Sequence, residues 1–150
     1  MDPNQPQYKG PGPANFGALS MGRKLALGGA IVLFIAYFLP WYSIDIGFGV
    51  GSVSANGVTG VGALNLIILL FIIAAAGMPA MGKSIKNFVP VAMSEGTMIF
   101  FGGIVVAVLV VLSVISNLGG GVGPGIGLII GVVATIATVA GGWLMKQAGE

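Results

Sequence analysis

The residues Gly77-Met-Pro-Ala-Met-Gly82-Lys83-Ser84 satisfy the Walker A pattern of a phosphate-binding loop. In that loop backbone amides cradle phosphate, the lysine reaches the terminal phosphates and the hydroxyl holds magnesium. The chemistry requires a buried strand before the loop, a helix after it and a separate carboxylate for the metal. Here Leu64 to Ala76 precede it as an apolar run of membrane length, and the only Asp residues are Asp2 and Asp45. A chain with 27 glycines also offers many chances for two of them to stand five apart. Lys83 is therefore read as a charge at the end of a helix, and no nucleotide is expected. Neither Gly47 to Gly62 nor Gly119 to Gly131 contains the dinucleotide spacing G-x-G-x-x-G.

The remaining reactive groups are sparse. The chain has no Cys and no His, which removes thiolate nucleophiles, sulfur-ligated metals, the commonest metal ligand and the usual general base. Its four acids, Asp2, Asp45, Glu95 and Glu150, are far apart in sequence, so paired-carboxylate catalysis is not expected. Glu95 follows Ser94 where an apolar run begins, a place where a carboxylate complements the positive end of a helix. Asp45 is left as a solvated acid or a cation or partner contact. No catalytic, cofactor or metal residue is assigned, and six dispersed basic residues are too few for a nucleic-acid footprint.

The elements that carry these residues follow from composition. Of 150 residues, 56% are apolar and 7% charged, and the mean hydropathy is +1.03. A soluble domain carries about a quarter charged residues, so this apolar excess must face lipid. Residues 1–20 hold Pro3, Pro6, Pro11 and Pro13 among Gln, Asn and Gly, and are expected to be a disordered cytoplasmic tail. Four uncharged runs then predict membrane-spanning helices over residues 25–42, 61–81, 98–115 and 126–145 within a transmembrane domain, 21–150. The expected fold is an all-α, integral-membrane four-helix bundle.

Arg23 and Lys24 precede helix one, Lys83 and Lys86 lie between helices two and three, and Lys146 follows helix four. With Lys9 these all fall on one side, so the positive-inside rule predicts a plasma (inner) membrane protein with both termini cytoplasmic. Trp41 and Tyr42 are expected in an outer interfacial belt, and Trp143 in an inner one.

Helix four carries small residues at spacings of three or four: Gly123, Gly127, Gly131, Thr135, Thr138 and Gly142. In lipid, close van der Waals packing and hydroxyl bonds join helices, so this stripe is expected to be buried against a neighbour, within the bundle or between chains. The Gly-rich outer loop from Ser43 to Gly60 alternates apolar residues with Gly or Ser and contains the turn pair Asn56-Gly57. A small β-hairpin and a flexible connection both remain open there. The second outer loop, Asn117 to Gly125, reads as a tight turn.

Leu39-Pro40-Trp41-Tyr42-Ser43, followed by Gly51-Ser-Val-Ser-Ala-Asn-Gly and a fresh apolar run, resembles a loosely defined group of small bacterial inner-membrane proteins of unknown function. These have a Pro/Gly-rich or zinc-ribbon head and four helices, with L-P-W at the end of the first. The resemblance covers about Leu25 to Met81 and implies architecture, not activity; the cysteines of the zinc-ribbon versions are missing here. The expected function is that of a non-catalytic accessory or scaffold subunit, not an enzyme, acting through helix and outer-loop contacts. Its partners would be the lipid bilayer and a membrane-protein partner or a homo-oligomer. The alternative is a small permease or channel component working as an oligomer.

Overall fold

A computed structural model describes residues 14–46, 51–58, 60–88, 92–117 and 121–150. It contains four helices: α1, Met21–Ala36; α2, Val61–Gly77; α3, Glu95–Asn117; and α4, Ile126–Gln147. Three short strands accompany them: β1, Pro40–Asp45; β2, Ser52–Asn56; and β3, Val122–Pro124. Each helix packs on two neighbours, α1 on α2 and α4, α3 on α2 and α4. The segments Val61–Met81, Glu95–Asn117 and Ile126–Gln147 are long and apolar enough to cross a membrane.

The first helix differs from the expectation of residues 25–42. It begins earlier because the Ser20 side chain accepts the Arg23 N–H at 3.2 Å and caps its N-terminus, drawing Arg23 and Lys24 into the first turns. It ends at Ala36 because Pro40 cannot donate to a helix and disfavours helical geometry at the residue before it. At 16 residues α1 rises about 24 Å. Part of the expected tail also has structure. Asn15 caps a 3-10 turn, Phe16–Ala18, and its N–H donates to Ala80 O at 2.8 Å, docking this segment on the turn that follows α2. Residues 1–13 lie outside the described residues.

The segments that join α1 to α2 and α3 to α4 both contribute to one antiparallel sheet in the order β2-β1-β3. Tyr42 pairs with Ala55, Ile44 with Val53 and Asp45 with Ser52; on the other edge Tyr42 pairs with Pro124 and Ile44 with Val122. The hairpin alternative is therefore the one adopted, and the expected tight turn supplies a third strand. The register shifts between Pro40 and Tyr42. This bulge breaks the usual alternation and lets two consecutive aromatics, Trp41 and Tyr42, both turn into the bundle. The core runs from these rings through Leu33, Leu69, Ile72, Ile99 and Val106 to Met145.

Candidate functional site

The small residues of α1 and α4 set the main helix contact. Gly22, Ala26, Gly29, Ala30 and Leu33 form the buried face of α1, and α4 answers with Gly127, Gly131, Ala134, Thr138, Gly141 and Met145. A methyl group at Gly29 would lie 2.6 Å from Thr138 Oγ1, and one at Gly141 would collide with the Ala26 backbone. The helices approach this closely only because those side chains are absent. Gly142 turns instead toward α3, where a methyl would stand 2.7 Å from Phe100 Cα.

The stripe is thus placed residue by residue within the chain. Gly127 and Gly131 form a socket for Trp41: added methyls would meet its ring at 2.8 and 3.0 Å. Thr135 and Thr138 are buried, but their hydroxyls donate to Gly131 O and Ala134 O of their own helix, at 2.7 and 2.9 Å. The expectation that threonine hydroxyls join helices is corrected here: one turn back along the same helix lies a nearer acceptor. Gly123 is also reassigned, because it lies on β3 opposite Ser43 and not on α4.

Trp41 is 0% exposed, which corrects its expected role as an interfacial anchor. Its Nε1 donates to Ala36 O at 2.6 Å, an acceptor at the end of α1 that the Leu39 N–H shares, and its ring stacks on Tyr37 at 4.5 Å. Tyr37 in turn accepts from Asn65 Nδ2 at 2.5 Å, while Asn65 Oδ1 is buried without a partner among the described residues. Tyr42 is also largely buried, and its hydroxyl shares a 2.8 Å hydrogen bond with Ser113 near the end of α3. Trp143 is 45% exposed, beside Phe100, and Lys146 Nζ lies 5.2 to 5.6 Å from the ring centroids of Phe100, Phe101 and Trp143.

The opposite end of the bundle gathers Arg23, Lys24, Lys83, Lys86 and Lys146. Arg23 was a topology signal in the sequence; in the fold it is also an ion-pair hub. Its Nη2 meets Glu95 Oε2 at 2.8 Å and its Nε meets Glu150 Oε2 at 2.6 Å, tying the start of α1 to the start of α3 and the segment after α4. Ser84 Oγ donates to Glu95 Oε1. Glu95 therefore does more than complement a helix end, and only the long-range fold could reveal its partners. Lys24 Nζ donates to Gly17 O at 3.0 Å, whereas Lys83 and Lys86 are exposed.

This geometry decides the Walker-like segment. It follows a helix, not a strand, and continues as a 3-10 turn, Met78–Met81. The Gly82 and Lys83 amides donate to Pro79 O and Met78 O, so they close a turn instead of opening toward an anion. Ser84, the would-be magnesium ligand, is committed to Glu95.

Among the described residues no group of three His, Cys, Asp or Glu is placed to hold a metal ion. An open groove of about 360 Å³ between α1 and α4 is lined by Gly28, Val32, Ile129, Val133 and Ala137. A second, of about 420 Å³, lies between α3 and α4 at Ala107, Ile136 and Trp143. Such walls offer packing surface but little to hold a polar ligand. Compared with known proteins, the chain matches no family model, no curated protein and no solved structure.

Proposed function

We propose that this is a multi-pass plasma-membrane protein serving as a non-catalytic accessory or scaffold subunit, and that it meets its partner through the edge of its extramembrane sheet. One observation carries this reading. Every residue of β2 is exposed and its outer edge is unpaired among the described residues, while the α4 stripe is occupied by the chain's own α1, α3 and Trp41. An exposed strand edge presents a row of free N–H and C=O groups, a template on which an extended segment of another protein can pair.

Membrane insertion is supported by the three long apolar helices and by α1, which runs beside α4 from Gly22 against Met145 to Leu33 against Gly131. All five described basic residues at one bundle end support cytoplasmic termini.

The test is native purification in mild detergent, with proline placed at Val53 or at Ser54. Consecutive residues of an antiparallel strand aim their N–H groups to opposite sides, so one proline opposes β1 and the other only the free edge. Loss of a stoichiometric partner with the stable variant of the two is the expected result. Retention of that partner by a stable edge-blocked variant rejects the sheet edge as the contact. A homo-oligomer with measurable conductance and no partner would support the permease or channel component instead.

A further inference from the structure

The sheet is amphipathic across its thickness. Its pairing places Tyr42, Ile44, Val53, Ala55, Val122 and Pro124 on one face, and Ser43, Ser52, Ser54 and Gly123 on the other. The apolar face is held to the bundle where Tyr42 is buried and hydrogen-bonds Ser113, and along its β3 edge, where Val122, opposite Ile44, packs against the core. Two residues beyond Tyr42 and across to β2, the same face is open: Ile44 is 46% exposed and Val53, paired with it, 58%. Ile46, the next alternate residue beyond β1, is 51% exposed.

We infer that this open face rests on the bilayer, in the interfacial layer beside the outer end of α3, so that the sheet is a membrane-surface contact as well as a cap on the helices. The inference rests on the membrane reading above. Two observations select lipid as the occupant. First, the face is turned toward the bundle: Tyr42, on the same face, is buried and hydrogen-bonds Ser113 near the end of α3, a helix apolar enough to cross a membrane. An apolar face that is turned toward the end of a candidate span, and that the helices leave half-exposed, lies at the depth of the interfacial layer. Second, three half-exposed side chains fall far short of the roughly 800 Å² per partner that a stable protein interface buries. A second copy seated there would gain too little contact to stay. The serine face then points to water, and the free β2 edge runs along the membrane surface.

The chain has no cysteine, so single cysteines carry a spin label without background. Ile44→Cys, Val53→Cys, Ser43→Cys and Ser54→Cys would be made in the full chain, with Ile136→Cys on the exposed face of α4 as the reference for insertion. Each is reconstituted in vesicles of phosphatidylcholine and phosphatidylglycerol. Collision with oxygen, which concentrates in lipid, is compared with collision with a water-soluble nickel chelate. The expected oxygen-to-nickel ratio is severalfold higher at residues 44 and 53 than at 43 and 54. Equal, nickel-dominated ratios at all four sheet positions, with an oxygen-dominated residue 136, overturn the inference and leave the membrane reading standing. Shielding of residue 53 from both reagents overturns it by showing that protein covers the face. A nickel-dominated residue 136 rejects the membrane reading itself.

Discussion

Two adjacent glycines on α1 show how far a single hydrogen atom is specified by its surroundings. Gly29 faces Thr138 with no room for a methyl, whereas Gly28 has no described residue within 4 Å of that position. Gly29→Ala should cost about 1 to 3 kcal/mol through overpacking against backbone. Gly28→Ala should instead gain roughly 0.5 to 1 kcal/mol from helix propensity. Reversible denaturation in detergent checks the opposite signs, and equal effects would mean that α1 and α4 do not pack this closely. Arg23 supplies the second residue-scale case. Its side chain is 11% exposed and that of Glu95 7%, so Arg23→Met leaves two carboxylates without their shared cation. A loss of about 3 to 5 kcal/mol is expected, and it should shrink markedly when Glu95→Gln is added, because the stranded charge is then gone. Additive losses in the double-mutant cycle would show that the contact is solvated and weak.

At the scale of elements, Trp41 joins β1, α1 and α4, so its truncation should loosen all three together. Trp41→Ala is expected to cost about 3 to 5 kcal/mol, whereas Thr138→Val, which removes only a bond internal to α4, should cost less than about 1 kcal/mol. If Thr138→Val proves as damaging as Trp41→Ala, the hydroxyl joins helices after all. The long runs of α2, α3 and α4 were legible because about twenty uncharged, mostly apolar residues in a row satisfy their own backbone groups as a helix. The structure places these helices at Val61–Gly77, Glu95–Asn117 and Ile126–Gln147. The end of α1 was also written in the sequence, at Pro40, but an uninterrupted apolar run through Tyr42 outweighs one proline when only hydropathy is read. The third strand was not legible: in Val122-Gly123-Pro124 the Gly and Pro disfavour a strand and outweigh one Val, and the segment is extended because β1 offers it partners. The ion pairs of Arg23 were hidden for the same reason, since their partners stand 72 and 127 residues away.

For the whole molecule, the proposed orientation predicts which end meets an impermeant thiol reagent in intact cells. Ser54→Cys should react, and Asn87→Cys, on the exposed turn at the basic end, should not. Asn87 is a better probe than Ser84, whose hydroxyl is engaged by Glu95. Labelling of Asn87→Cys alone would invert the protein in its membrane. The close fit of the first helix to the last also has a consequence for synthesis. The small-residue face of α1, from Gly22 to Ala36, finds its match on α4, which begins only at Ile126. At a ribosomal pace of about 5 to 20 residues per second, α1 waits several seconds before α4 has been made. On the proposed membrane reading, its glycine face is sticky during that interval toward any other small-residue helix leaving the same translocon. A nascent chain arrested before α4 should therefore cross-link through α1 to insertion factors or to foreign helices, and release of the full chain should end that contact.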